Sequence, residues 1–473
     1  MFTKDVYAGR RATLKKELNA GLAFFPANNE APFNYPDNTY IYRQDSNFSY
    51  FFGLNHPDLV GVIDFETGDE ILFGQEVTVD DVIWCGPLPS LKEQGESIGI
   101  TDCRDFSKFG EYLQQAIAKG RKIHILPTYR GDTQMQCAKW LNVNVDAVAD
   151  FVSVELIKAV IKMREVKSAL EIEEMERAAN TAYYMHTTAM KMCKPGMVEQ
   201  ELAGMVEGLS LSGGGPVSFP VILSVNGQTL HNHGHRNVLQ EGRMMVCDAG
   251  AETENYYASD FTRTTPVGGK FNQRQREIYE IVLKANMEVA ANTRPYMPYM
   301  EMHKLACRTL IDGLKDVGLM KGDTEEALLA GAHYLFMPHG LGHMLGMDVH
   351  DMEGLGETYV GYDDITPRST KQGFSCLRCG KTLKPGFVVT DEPGIYFIPT
   401  LIDLWKAEGK HKDFINYDKL ETYKDFGGIR IEDDLLITEN GCRILGRPIP
   451  KTVADVEEMC AQGREWIKMP GLY

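Results

Sequence analysis

The sequence predicts two domains, a smaller α/β domain over residues 1–155 and an α+β domain over residues 156–473. Three observations carry this reading. The chain has 473 residues, more than the roughly 100 to 200 that one core usually serves. Its first third alternates short apolar runs with helical stretches, as strands interleaved with helices do. The remainder groups its helices apart from its strands, which is the α+β arrangement.

In chain order, Arg10 to Leu22 is a basic helical stretch. Apolar runs ending in turn signals read as strands: YFFGL at 50–54, LVGVIDF at 59–65 before ETGDE, EILFG at 70–74 and KIHILP at 122–127. Phe109 to Ala118 reads as a helix among them. From Ser153 to Met192 the pattern is helical, with no proline until Pro195, and connects to the second domain. There a hairpin-like region spans 244–267, helices run from Gln273 to Val317, and strand-rich segments follow Tyr334.

Composition narrows the function classes. Hydrophobic residues at 43% and charged residues at 24% give the balance of an ordinary globular protein. A net charge of −17 repels phosphate backbones and anionic lipid, so neither nucleic acid nor a membrane surface is expected as a partner. The first residues lack an apolar run with a small-residue cleavage site, and no stretch approaches the length of a membrane span. Ten scattered cysteines without a disulfide framework suit a reducing compartment, so a cytoplasmic location is expected. The pair Cys376 and Cys379 has C-x-x-C spacing but no second pair to complete a zinc site.

Chemistry concentrates in the second domain. In RMMVCDAGAETENYYASDFTRTTPV, one apolar run delivers Asp248 and a second delivers Asp260, so two carboxylates on neighbouring strands can converge. FMPHGLGHMLGMDVHD places three of the twelve histidines, His339, His343 and His350, among glycines that let the backbone approach a ligand. LKPGFVVTDEPGIYF sets Glu392 at the end of an apolar strand before a Pro-Gly turn. In GGIRIEDDLLIT, alternation puts Arg430, Glu432 and Asp434 on one face, so Arg430 can neutralise neighbouring carboxylates. Four carboxylates and one imidazole without a thiolate suit hard or borderline divalent ions, manganese first, with cobalt, iron or zinc as alternatives. Their mutual repulsion needs cations, and two ions sharing carboxylates would also activate a water.

With DAG, SDFTRT, HGLGH, TDEPGIYF and RIEDD in this order, the chain resembles the prolidase and aminopeptidase P family, whose catalytic domain has the pita-bread fold. The resemblance implies that Asp248, Asp260, His343, Glu392 and Glu432 bind two metal ions, usually manganese. Within that site Glu392, which would touch both metal and solvent, is the expected proton acceptor for the water. His231 in TLHNHGH matches a substrate-site histidine, and His339 and His350 match histidines that contact substrate and the tetrahedral intermediate. Arg430 matches an arginine bracing the ligands. In the first domain YIYRQDSNFSYFFGL resembles the creatinase-like amino-terminal domain of the same family.

The implied activity is hydrolysis of the Xaa-Pro bond in small peptides. Arg378 falls where prolidases of the eukaryotic type carry an arginine for a dipeptide's carboxylate, a planar anion that a guanidinium matches. Cleavage of longer peptides, as by aminopeptidase P, is the alternative. Trp84 resembles an aromatic residue that reaches from one subunit into another's site, which implies a homodimer or higher homo-oligomer. There are departures: Asp248 and Asp260 are twelve apart where eleven is usual, Asp391 replaces a usual valine, and Phe219 stands where a tyrosine is common near the metals and a proline ring would lie. Competing readings are a non-catalytic interaction module, which typically loses ligands, and a creatinase or methionine aminopeptidase. Creatinases work without the metal set, and methionine aminopeptidases generally lack the first domain.

Overall fold

In the computed structural model, which describes residues 2–462, the chain packs as two compact units. One comprises the residues up to Arg164 together with Gly354–Tyr359, and the other comprises the rest.

The first unit is α/β. Five strands form a sheet in the order Asp102–Asp105, Glu70–Gly74, Val60–Asp64, Leu22–Pro26, Ile123–His124. The two inner pairings are antiparallel and the two outer ones parallel. The helices Phe109–Ala118 and Gly131–Leu141 share its core, where Phe109 lies 5.2 Å from Phe24 and edge-on to Trp140 at 4.8 Å.

Two local expectations are corrected here. YFFGL is no strand: it closes the helix Ser46–Phe52, which Asp45 starts by accepting from the Phe48 N–H and Gly53 stops in the left-handed region. Phe48, Tyr50, Phe51 and Phe52 are all buried, so the helix is apolar on several sides and shows no amphipathic period. The basic helix spans Lys4–Glu17 rather than reaching Leu22, which opens the first strand. Arg11 sits in its core, donating to the carbonyls of Phe51 and Ile98 and pairing with Glu70. A buried arginine in the apolar stripe blurs the pattern from which helix ends are read.

The second unit is α+β, with long helices at Ala169–Met192, Glu199–Ser212, Gln273–Asn292 and Tyr299–Asp316. One sheet orders Phe261–Pro266, Met244–Ala249 and Ile222–Ser224, and a second orders Val388–Asp391, Asp433–Ile437 and Cys442–Ile444. A two-stranded ladder pairs Gly394–Tyr396 with Gly428–Arg430.

Arg263 ties the first two sheets together. Its guanidinium donates to the carbonyls of Thr262, Glu432, Ile449 and Pro450 and pairs with Asp433 at 2.7 Å. Lys451 reaches the other Asp433 oxygen at 2.6 Å. Burial alone would raise the Asp433 carboxyl, but the charges of Arg263 and Lys451 outweigh it and hold it well below the usual carboxylate range. Asp433→Ala leaves the buried Arg263 without its counter-charge, so we expect a loss of about 3–5 kcal/mol in denaturant unfolding. A loss under about 1 kcal/mol would show that the pair does not hold the sheets in register.

Candidate metal centre

Two ladders deliver four carboxylates to one place. Met244–Ala249 pairs antiparallel with Phe261–Pro266, with Asp248 opposite Thr262, and a bridge from Glu252 to Ala258 continues the register toward the turn. Side chains alternate across a strand, so Asp260, two residues before Thr262, lies diagonal to Asp248 on the same face. The twelve-residue separation is closed by a turn in which Tyr256 takes a φ of 65°. Gly250 permits the close approach of its ends, since a Cβ there would stand 1.7 Å from the Ser259 carbonyl oxygen.

The second ladder sets Asp391 opposite Asp433, so Glu392 and Glu432 occupy the next positions beyond its end. Glu432 also bridges to Thr262, donating its N–H to that carbonyl at 3.0 Å, which joins the two ladders at the carboxylates. His343 comes from an irregular segment beside Val388–Asp391: Thr390 N–H donates to the His343 carbonyl, and His343 N–H to the Thr390 hydroxyl. Gly342 lets this segment in, because a Cβ there would meet the Thr390 oxygen at 1.9 Å.

The resulting cluster is all acceptors. Ligand atoms of Asp260, His343 and Glu432 lie within 4.8 Å of one another and are buried. His343 Nδ1 donates to the Met344 carbonyl at 3.0 Å, and burial pushes its pKa down to about 4. Its Nε2 lone pair therefore faces Asp260 Oδ2 at 3.4 Å and Glu392 Oε1 at 3.9 Å. Among the described residues, neither Asp248 Oδ1 nor Asp260 Oδ1 finds a hydrogen-bond partner, although both are buried. Burial, then the neighbouring carboxylates, push Asp260, Glu392 and Glu432 well above the usual range. Lone pairs facing lone pairs in a buried space are stable only with cations between them or protons on them. Oxygen donors with one imidazole fit divalent ions, and the His343 bond to a carbonyl is the usual outer support of such a ligand.

Arg430 braces this cluster. It donates to Asp248 Oδ2 at 2.5 Å, to Thr262 Oγ1 at 3.0 Å and to the Tyr396 hydroxyl at 2.8 Å. Thr262 in turn donates to Glu432 Oε2 at 2.6 Å. The Tyr396 hydroxyl lies 2.9 Å from His339 Nε2, while His339 Nδ1 bonds the Gly340 carbonyl at 2.8 Å and lies 3.7 Å from Glu392. Burial, then the Arg430 charge, lower the His339 pKa to about 3, so the ring is neutral and Tyr396 donates to it.

A second polar chain borders the donors. The His350 ring lies 4.1 Å from that of His343, centre to centre, and its Nδ1 donates to Glu353 Oε2 at 2.6 Å. Glu353 Oε1 accepts from Arg378. His231 is solvent-exposed on a loop, with Arg430, Asp248 and His350 among its charged neighbours; partial burial, then Arg430, lower its pKa. Phe219 is half-buried just after Val217, which bridges to Ala251. Trp84 belongs to the first unit and is 85% exposed. Cys376 and Cys379 are free thiols, each pushed up to about 11 by burial.

Sequence reasoning did not single out Thr262, Tyr396 or Glu353. The first two had a signal: Thr262 is two residues beyond Asp260, hence on the same face, and Tyr396 pairs across its ladder with Gly428, two residues before Arg430. Glu353 had none, because its partner Arg378 is 25 residues away in an irregular segment. A further group, His303, Cys307 and His333, is also buried, but it contains no carboxylate, and both imidazoles bond the Gly373 carbonyl.

Carboxylates whose pKa is raised bind protons more readily in the metal-free protein, and cations must compete with those protons. Adding manganese is therefore expected to raise Tm and release protons, seen as a binding heat that varies with buffer ionisation enthalpy. Affinity should weaken as pH falls. Asp260→Ala should abolish most of the Tm rise; an undiminished rise would place the ions elsewhere.

Residues 173–439 match the model of metallopeptidase family M24, and residues 7–126 match the aminopeptidase P N-terminal domain. The chain is 32% identical over 438 residues to the Xaa-Pro dipeptidase of Homo sapiens, covering 90% of this chain and 85% of that protein. It is 33% identical over 428 residues to a probable Xaa-Pro aminopeptidase of Metarhizium acridum, covering 89% and 81%. Zn-substituted E. coli aminopeptidase P in complex with product superposes with a TM-score of 0.81 at 29% identity, covering 98% of this chain and 100% of that one. A Pseudomonas aeruginosa aminopeptidase gives 0.79 at 28% identity, covering 97% and 98%. The acceptor-only cluster in the α+β unit therefore lies in a pita-bread catalytic domain preceded by an aminopeptidase P N-terminal domain, and the chain belongs to metallopeptidase family M24.

Proposed function

We propose that this chain is a proline-specific metallo-exopeptidase that hydrolyses Xaa-Pro bonds, with Xaa-Pro dipeptides the favoured substrates. The observation carrying the reaction class is the neutral His343 Nε2 lone pair facing the oxygens of Asp260 and Glu392. Relatives named for Xaa-Pro dipeptidase and Xaa-Pro aminopeptidase activity support the bond. Asp248, Asp260, His343, Glu392 and Glu432 would hold two divalent ions, manganese by preference, which when bound supply Lewis acidity toward water and the scissile carbonyl.

The remaining work falls to the protein's own groups. Glu392 takes the proton of the attacking water and passes it to the leaving nitrogen: its side chain is 20% exposed against 6% for Asp260 and His343, so it reaches both ligand sphere and solvent. Arg430 holds Asp248 in place, and through Thr262 it orients Glu432. His231, His339 and His350 frame the bound peptide, and Phe219 flanks the proline ring.

Arg378 supports the dipeptide over the longer-peptide reading. Its link through Glu353 to His350 draws the guanidinium toward the donor cluster, where a dipeptide's free carboxylate would find it. Homo-oligomer formation is part of this reading: Trp84 heads an exposed apolar group with Val79, Val82, Ile83 and Leu88. The ten free cysteines suit a reducing compartment, in keeping with a cytoplasmic enzyme.

Ala-Pro should be hydrolysed, with activity lost on chelation and restored by manganese or cobalt; full turnover in a preparation shown metal-free by elemental analysis would refute the reading. Glu392→Gln should lower kcat by about 10²–10⁴-fold. Arg378→Ala should raise KM for Ala-Pro much more than for Ala-Pro-Ala, by about tenfold, and equal effects would favour the longer-peptide alternative. In sedimentation the wild type should be dimeric or larger and Trp84→Ala more dissociated, whereas an active wild-type monomer would remove Trp84 from the site.

A further inference from the structure

The Arg378 guanidinium already holds a carboxylate supplied by the protein. Glu353 offers one oxygen to Arg378 and the other to His350 Nδ1 at 2.6 Å, so its planar anion lies between a cation and an imidazole. The side chains of Arg378 and Glu353 are 38% and 34% exposed, so the pair faces solvent and a ligand can reach it. Hydrogen bonding from His350 and the charge of Arg378 hold the Glu353 carboxyl below its usual range against its partial burial.

A free peptide carboxylate has the same shape, charge and preferred partner as this side chain. Two carboxylates cannot share the same guanidinium edge without repulsion, and a peptide with no charge at that position does not meet the conflict. We propose that Glu353 is a specificity-determining residue, a resident carboxylate that competes with the substrate's C-terminal carboxylate for Arg378 and so limits how strongly the site selects dipeptides. The proposal rests on the Xaa-Pro reading above. In this role Glu353 also positions His350, since accepting from Nδ1 fixes the tautomer and leaves Nε2 as the acceptor.

The test compares Ala-Pro with Ala-prolinamide, which differ only in the terminal charge. Glu353→Gln keeps the shape and an acceptor for His350 but removes the competing charge. The ratio of KM for the amide to KM for Ala-Pro should rise about fivefold, the size of a partly exposed charge pair. Any general disturbance of His350 lowers kcat for both substrates and leaves this ratio unmoved. In an Arg378→Ala background the same substitution should no longer change the ratio. An unmoved or falling ratio, or an equal rise without Arg378, overturns the assignment. Calorimetric binding of proline against prolinamide gives a second ratio that needs no turnover. A wild type that binds both yet cleaves no Xaa-Pro bond overturns the functional reading alone, an unmoved binding ratio overturns the role of Glu353, and absence of binding to wild type and variant alike overturns both.

Discussion

Acceptors facing acceptors in a buried space are the constraint around which the second unit is organised. His343 Nε2 points at Asp260 and Glu392, and two buried aspartate oxygens have no donor among the described residues. A fold that gathers these groups spends conformational stability on a cluster that is content only when cations or protons fill it. Everything nearby limits that cost without filling the cluster. Arg430 takes up one oxygen of Asp248, Thr262 donates to Glu432, and the Asp434 carboxylate accepts from the Asp260 N–H.

Behind the cluster, a second arginine does the mechanical work. Arg263 points to the opposite face of its strand from Thr262, saturates four carbonyls and pairs with Asp433, while Glu432 and Asp434 on either side of Asp433 contact Thr262 and Asp260. Strand alternation thus separates two kinds of chemistry. One face carries unsatisfied carboxylates and the other a fully paired ion network that keeps the strands in register. The polar chain through Glu353 differs from both, being half-exposed, and so lies where ligand chemistry can compete with protein chemistry.

Sequence order already carried the α/β and α+β character of the two units and pointed to the carboxylates and the histidine that gather in the second, because these residues sit at strand ends and turns whose local patterns are strong. It missed the helix Ser46–Phe52, where burial on nearly every side leaves no period to read, and the start of the first helix, where Arg11 is buried. Of the bracing residues, Thr262 and Tyr396 were within reach of alternation and cross-strand pairing.

By itself the sequence determined which groups can meet at a strand end: Asp248 and Asp260 on the two arms of one hairpin, and Glu432 two residues after Arg430. Periodicity of two is a local property, so it survives in a linear string. Tertiary structure alone decided how these groups are paired. That Arg430 directs its donors to Asp248, Thr262 and Tyr396 depends on contacts between strands up to 182 residues apart, and that Glu353 occupies Arg378 depends on the path of an irregular segment. Hydrogen bonds are directional and short, and which donor reaches which acceptor is settled only when the backbones carrying them are packed.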